Sequence, residues 1–145
     1  MTTFDTVPMT DSSNDPAAVA SRRLRLVLRA NATTSFVAGA IGLFAAPWCV
    51  DEFGTQHVGA TRAIGAGLIA FACFVAVTSR RDGRPLAEQT IGIAAGDVAW
   101  VVLSFVALGF VDFTDTGRVV DVVQAIGVAD FAILQAWLAR RILQA

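Results

Sequence analysis

The chain has 145 residues, a formal net charge of −1, eleven Arg and no Lys. Apolar residues make up 55% of it and charged residues 16%, with a mean hydropathy of +0.63, whereas soluble domains carry roughly 25% charged residues. A soluble domain of this size could not bury so much apolar surface. The composition therefore predicts a membrane protein and excludes a disordered chain, a basic nucleic-acid binder and a disulfide scaffold.

Residues 1–15 are predicted to form a disordered cytoplasmic tail, because Thr, Ser and Asp dominate them and no apolar period is present. A helical transmembrane domain over residues 16–145 is predicted to follow. Its first helix begins at Asp15-Pro16, since Asp caps helix N-termini and Pro suits the first helical position. This helix runs to Pro47, and its arginine-rich first third extends beyond the hydrocarbon.

Four apolar segments of about twenty residues each match the length that a helix needs to cross roughly 30 Å of hydrocarbon. The predicted spans cover about 24–46, 58–78, 86–109 and 119–138. Turn-forming residues separate them: Pro47 with Gly54, residues 82–85, and residues 112–117. Because all three links are short, consecutive helices are expected to be antiparallel neighbours. The predicted fold is an all-α membrane protein with an antiparallel four-transmembrane-helix bundle.

The arginines predict the orientation of the bundle. Nine of the eleven lie before or near the start of the first span, between the second and third spans, or after the fourth. Since arginine is retained on the cytoplasmic side during insertion, both termini are expected to be cytoplasmic, in the plasma membrane. Four aromatic residues fall near the predicted interfaces, where aromatic belts are common: Trp48, Phe53, Phe110 and Trp137.

The two predicted hairpins resemble each other. Residues 62–65 (RAIG) align with residues 124–127 (QAIG), and residues 50–53 with residues 111–113, at an offset of 61 to 62 residues. A duplication would give a parallel repeat with a pseudo-twofold axis along the membrane normal. The alternative is that Ala, Ile and Gly recur by chance in apolar helices.

Residues 62–68 (RAIGAGL), followed by apolar residues and Ser79-Arg80-Arg81, resemble the second span of small four-span bacterial membrane proteins of the DoxX-like kind and related families. Relatives of that kind include accessory subunits of membrane quinone-linked oxidoreductases. The resemblance therefore implies an accessory role, and it carries no functional residue across to this chain.

Two carboxyls fall at membrane depth, where ionisable groups mark function by default. Asp97 and Asp130 lie roughly 13 Å and 12 Å from the cytoplasmic ends of the third and fourth spans, at 1.5 Å per residue. Because these spans are predicted to be adjacent and antiparallel, we expect a buried Asp pair at one level of the bilayer. Gly127, Asp130, Leu134 and Trp137 share a helical face, with Gln135 beside them.

Several polar residues are predicted to accompany Asp97. Thr90 and Ser104 share its helical face, and Trp100 lies one turn beyond it. Asn31 reaches nearly the same depth, and Arg29 either extends outward to the interface or swings toward Asp97. Gly92 and Gly96 form a GxxxG pattern that permits close helix packing. The candidates for ligand or proton handling are Asp97, Asp130, Asn31, Trp100, Ser104 and Arg29.

Three interpretations of these polar residues are open. They form a functional site, or they join the helices by hydrogen bonds, or an Asp faces lipid. No metal site or cofactor is expected, since His57 is the only histidine, Cys49 and Cys73 form no CxxC motif, and no catalytic motif is present.

The sequence favours a non-enzymatic role as an accessory subunit or a small-molecule-binding membrane protein with a buried Asp pair. The alternative is a small proton-coupled transporter that works as a homo-oligomer. The expected partners are the lipid bilayer and either another membrane protein or a second copy of the chain, without nucleic acid.

Overall fold

The computed structural model describes residues 15–55 and 57–145. The predicted tail lies outside these residues, apart from Asp15. Within the described ranges the chain is all-helical, without strands. The five helices are α1 (Pro16–Phe44), α2 (Ala46–Phe53), α3 (Val58–Thr78), α4 (Gly83–Phe110) and α5 (Asp115–Gln144).

Four of these helices, α1, α3, α4 and α5, are long and apolar enough to cross a membrane, with mean hydropathies of 1.3 to 2.1 over their most apolar windows. Large apolar side chains point away from the bundle, including Leu103, Phe110 and Ile133. Such a surface suits hydrocarbon rather than water. The prediction of four helices that are long and apolar enough to span a membrane is confirmed.

The helix boundaries follow from local chemistry. Asp15 caps α1 by accepting a 3.1 Å hydrogen bond from the backbone N–H of Ala17, as the Asp-Pro signal predicts. Pro47 lacks the N–H that an uninterrupted helix would donate to the carbonyl of residue 43, and α1 ends with Ala45 as its C-cap. The segment from Pro47 to Gly54, predicted as a turn, instead lies largely within the short helix α2, which ends at Gly54 in a left-handed conformation (φ 74°).

The connections at one end of the bundle are packed together. The Thr114 hydroxyl donates a 2.7 Å hydrogen bond to the Glu52 carbonyl, and its backbone N–H donates to the Phe53 carbonyl at 3.2 Å. Gly117 lies against the same carbonyl, with no room for a Cβ. We call this the α2 end. The opposite end, where α1 begins and α5 ends, is the terminal end, and there Arg25 forms an ion pair with Asp82.

The helices do not all pack in chain order. α1 packs extensively against α3, α4 against α5, and α1 also against α5. By contrast, α3 and α4 have little contact, although a short link joins them. The expectation that every consecutive pair packs closely is therefore wrong for α3 and α4. Both helices line a cavity that α1 and α5 also border, described below.

A close approach between two long helices lies between α1 and α3 rather than at the GxxxG pattern of α4. A Cβ on Gly65 would lie 2.5 Å from the Leu43 nitrogen and 2.7 Å from the Gly39 carbonyl oxygen. Gly92 has open space where a Cβ would be, and Gly96 meets only the Phe71 ring at 3.6 Å. The prediction that Gly92 and Gly96 admit a neighbouring backbone is thus wrong within this chain.

The two halves of the chain have matching burial patterns. Residues 65–80 of α3 and 125–140 of α5, 60 positions apart, have the same succession of buried, half-buried and exposed residues. Residues 24–38 of α1 and 86–100 of α4, 62 positions apart, match except at two positions. The predicted offset of 62 therefore suits α1 and α4. For α3 and α5 the burial patterns match at an offset of 60 rather than 62 residues, so Gly67 rather than Gly65 corresponds to Gly127.

Candidate functional site

A buried polar layer crosses the bundle at Asp97. Its carboxyl Oδ2 accepts a 2.8 Å hydrogen bond from Nδ2 of Asn31 on α1 and a 3.1 Å hydrogen bond from Nε2 of Gln135 on α5. The three residues are 3%, 1% and 0% exposed, respectively. Both donors converge on a single oxygen, so the other carboxyl oxygen, Oδ1, takes no part in these two bonds.

A second row of hydrogen bonds orients Asn31. The Ser35 hydroxyl donates to Oδ1 of Asn31 at 3.1 Å, so the Asn31 amide is fixed with its NH₂ group toward Asp97. Ser35 and Asp97 are equivalent positions in the two halves of the chain, 62 residues apart. The carboxyl is thus present in only one of two similar halves, and donors from α1 and α5 hold it.

The polar layer separates a packed half of the bundle from a hollow half. Toward the terminal end, apolar side chains from all four long helices form the core, and five of the largest are at most 1% exposed. They are Leu24, Leu28, Val75, Leu86 and Ile93. Toward the α2 end, the space above Asp97 is not filled by side chains. Asp97 therefore lies at the floor of a cavity.

This cavity, which we call the Asp97 cavity, has a volume of about 500 Å³. All four long helices line it, and equivalent positions of the two halves face each other across it. α3 contributes Ile64, Gly67, Leu68 and Phe71, and α5 contributes Gln124, Gly127, Val128 and Phe131 at the positions 60 residues later. α1 and α4 contribute Thr34, Ser35, Ala38, Gly96, Asp97 and Trp100.

The lining is mostly apolar and partly aromatic. The side chains of Phe71, Trp100 and Phe131 border the same space as the Asp97 carboxyl. Trp100 Nε1 is buried without a hydrogen-bond partner in the part of the chain that the structure describes. Apolar walls with a few converging polar groups are the usual construction of small-molecule sites, whose volumes run from about 300 to 1,000 Å³.

A second cavity of about 500 Å³ adjoins the first toward the α2 end. The two share five lining residues, Ala38, Ile64, Leu68, Trp100 and Gln124. The second cavity is also lined by His57 and Asp121, and the buried Ser104 side chain lies close to the Asp121 carboxyl. The hollow half thus extends from the α2-end connections to Asp97.

The structure does not bring Asp130 to Asp97. Asp130 is exposed on the outer face of α5, whereas Gln135 occupies the buried face. The expected buried Asp pair is therefore corrected to an Asn31–Asp97–Gln135 layer. The reason is the rotation of α5: Asp130, Leu134 and Trp137 point away from the core, and of the predicted face only Gly127 borders the Asp97 cavity.

The remaining candidates fall in different surroundings. Arg29 is exposed, and the two hydrogen bonds to Asp97 come from amides instead of from this guanidinium. Ser104 is buried, although near Asp121 rather than Asp97. Gln135 was placed only beside the candidate face by sequence reasoning. The available signal was a lone amide in an apolar helix, a group whose burial requires a hydrogen-bond partner.

Both cysteines are free thiols. Cys49 lies on α2, outside the long helices, and burial raises the pKa of its thiol. Cys73 is exposed on α3. Among the described residues no group of three or more His, Cys, Asp or Glu is placed to hold a metal ion.

No protein-family model matches the chain, and no curated protein or solved structure is significantly similar to it.

Proposed function

We propose that this protein is an integral membrane protein that binds a small, largely apolar molecule in the Asp97 cavity. The observation that carries the proposal is a single buried carboxyl, held by two amides, at the floor of an apolar cavity of about 500 Å³. Such a group fixes the orientation of a ligand whose remaining surface contacts apolar walls. The protein itself has no enzymatic activity in this proposal.

The layer is preorganised for this role. Asn31 and Gln135 come from different helices, and Ser35 fixes the Asn31 amide. A site held by packed side chains needs little rearrangement on binding, which lowers the entropic cost of association. If these residues served only to join helices, filled space around Asp97 would be expected, because empty volume next to a helix contact is destabilising.

The proposed topology is an antiparallel bundle with both termini in the cytoplasm and the α2 end outside the cell, in the plasma membrane. The arginine distribution supports it, since basic residues concentrate at the terminal end. Arg140 and Arg141 close α5 there, and the guanidinium of Arg141 lies 4.1 Å from the centre of the Trp137 ring. Such pairs are common where helices leave the membrane.

Native mass spectrometry of protein extracted in mild detergent tests the proposal. Wild type is expected to retain a small-molecule adduct, and Gly127→Leu is expected to lose it, because Gly127 lines the cavity and has open space in front of it. Gly92→Leu is the matched control, since Gly92 also has open space but does not line the cavity. Equal adducts on both variants would contradict the proposal.

A second candidate function is proton-coupled transport by a homo-oligomer. The observation that favours it is that the hollow half ends at the polar layer while the other half is packed shut. An alternating-access transporter that is closed on one side of the membrane and open on the other has this arrangement. Flux in proteoliposomes that is dependent on a proton gradient, and lost in Asp97→Asn, would support transport over binding alone.

A role as an accessory subunit of a larger membrane assembly is the third proposal. It is favoured by Asp130, whose exposed carboxyl lies within a candidate span and would be covered by a neighbouring protein. Capture of one defined membrane protein with the tagged chain, lost in Asp130→Leu, would support this role. Isolation of the chain alone under the same conditions would count against it.

A further inference from the structure

From the charge and aromatic character of the Asp97 cavity, we infer that its ligand is a lipophilic organic cation, with its positive centre at the Asp97 carboxyl. This inference rests on the proposed function and adds the chemical class of the molecule. It excludes neutral and anionic molecules of the same size as preferred ligands.

The first argument is the direction of the hydrogen bonds around Asp97. Both donors, Nδ2 of Asn31 and Nε2 of Gln135, contact the same oxygen, Oδ2. Amide N–H groups stabilise negative charge on the oxygen that accepts from them, and the same Asp97 side chain lines the cavity. The protein thus supplies two donors, and no acceptor, to a carboxyl that borders the cavity.

The second argument is the lack of a balancing positive side chain. The chain has no Lys, and none of the eleven Arg lines the Asp97 cavity. Arg25 is engaged with Asp82, and the other ten are exposed. A buried carboxylate without a partner is destabilising unless a cation or a proton neutralises it. A ligand cation supplies that charge.

The third argument is the aromatic lining. Phe71, Trp100 and Phe131 border the cavity together with Asp97. Aromatic faces attract organic cations that lie within about 6 Å of the ring centre, and clusters of such rings are used to recognise quaternary ammonium groups. The same rings provide apolar surface for the hydrocarbon part of the molecule. A carboxylate and three aromatic rings around one apolar space therefore suit a cation with apolar substituents.

Equilibrium dialysis of the purified full-length protein in detergent tests the inference with two ions of nearly identical shape, tetraphenylphosphonium and tetraphenylborate. Each ion is measured on wild type, Asp97→Asn, Gly127→Leu and Gly92→Leu. The asparagine keeps an oxygen for the two amide donors, and the unfolding midpoint of this variant shows whether its fold is intact. The difference between wild type and Gly127→Leu gives the binding that depends on the cavity. The signal that remains with Gly127→Leu gives the partitioning of each ion into micelles.

The expected result is saturable binding of tetraphenylphosphonium by wild type and Gly92→Leu, at least tenfold weaker binding by Asp97→Asn, and none by Gly127→Leu. Tetraphenylborate is expected to give the same signal with wild type and with Gly127→Leu. If both ions bind equally and Asp97→Asn changes neither, the carboxyl is neutral and the inference fails, while the proposed function stands. If Gly127→Leu changes the binding of neither ion, the inference fails. If Gly127→Leu also retains the adduct seen by native mass spectrometry, the proposed function fails as well.

Discussion

Asn31 on α1 and Asp97 on α4 are joined by a 2.8 Å hydrogen bond between two side chains that are almost fully buried. The helices that carry them otherwise have few contacts with each other. The bond therefore links the two halves of the chain across the middle of the bundle, where Gln135 completes the layer. Its position, at the floor of a cavity, makes it relevant both to stability and to binding.

The carboxyls of Asp97 and Asp130 are expected to respond differently to leucine substitution. Asp97→Leu removes the acceptor of Asn31 and Gln135, and a buried polar group left without a partner costs about 1–3 kcal/mol. Asp130→Leu removes an exposed carboxyl from a candidate span, where an acidic residue costs roughly 2.5–3.5 kcal/mol on an insertion scale. Reversible unfolding in mixed micelles should show destabilisation by the first and none by the second. Destabilisation by Asp130→Leu would place Asp130 in a contact of its own.

A double-mutant cycle measures the central hydrogen bond. Leucine at Asn31 and at Asp97, singly and together, should give a coupling free energy between about 0.6 kcal/mol, the average for hydrogen bonds between membrane helices, and about 1.7 kcal/mol, the maximum. Thr33 serves as the control, since its hydroxyl donates to the carbonyl of Arg29 on its own helix. Thr33→Val and Asp97→Leu should be additive in the same unfolding assay. A zero coupling for Asn31 would show that the bond contributes nothing to stability.

Glycine substitutions separate the close helix contact from the exposed GxxxG pattern. Gly65→Ala forces a Cβ to within 2.5 Å of the α1 backbone, and overpacking of this kind costs about 1–3 kcal/mol. Gly92→Ala meets open space and should stabilise α4 by up to about 1 kcal/mol through helix propensity. Thermal unfolding midpoints in detergent should move in opposite directions. A tolerated Gly65→Ala would contradict the α1–α3 packing described here.

The thiol of Cys49 should react slowly. Burial raises its pKa, so less of it is thiolate at neutral pH, and only the thiolate attacks a maleimide. In a Cys73→Ser background, the alkylation rate of the folded protein should be low at pH 7. The rate should begin to rise at a higher pH than the rate for a solvent-exposed cysteine does. Unfolding the protein should restore ordinary reactivity. Rapid labelling of the folded protein at pH 7 would contradict the burial of the Cys49 thiol.

The sequence predicts the number and approximate bounds of the long helices because apolar length and turn residues are local signals. It also places Asn31 and Asp97 at one depth, since depth along a helix follows from residue counting. It does not predict which way α5 is rotated. Asp130 and Gln135 lie five positions apart, so they cannot both face the core, and the choice between them depends on packing between helices.

The short helix α2 and the separation of α3 from α4 were missed for a related reason. Residues 46–53 contain Pro47 and are followed by Gly54, both of which are turn signals by composition. The contacts of α2 with α3 and α5 nevertheless stabilise a helix there. The cavity is lined by residues of all four long helices, Gly67 and Phe71 among them, and a space of this kind depends on packing between helices rather than on a local pattern. Burial patterns, by contrast, expose the equivalence of the two halves more fully than residue identities do.

Locating a bound cation within the protein tests the central claim most directly. Tetraphenylarsonium has the shape of the phosphonium ion, and its arsenic atom gives an anomalous X-ray signal. In crystals of the full-length protein, we expect one arsenic peak in the Asp97 cavity, within about 6 Å of the ring centre of Phe71, Trp100 or Phe131, and none in crystals of Asp97→Asn. Arsenic found only on the outer surface of the helices, with the cavity empty, would contradict the account.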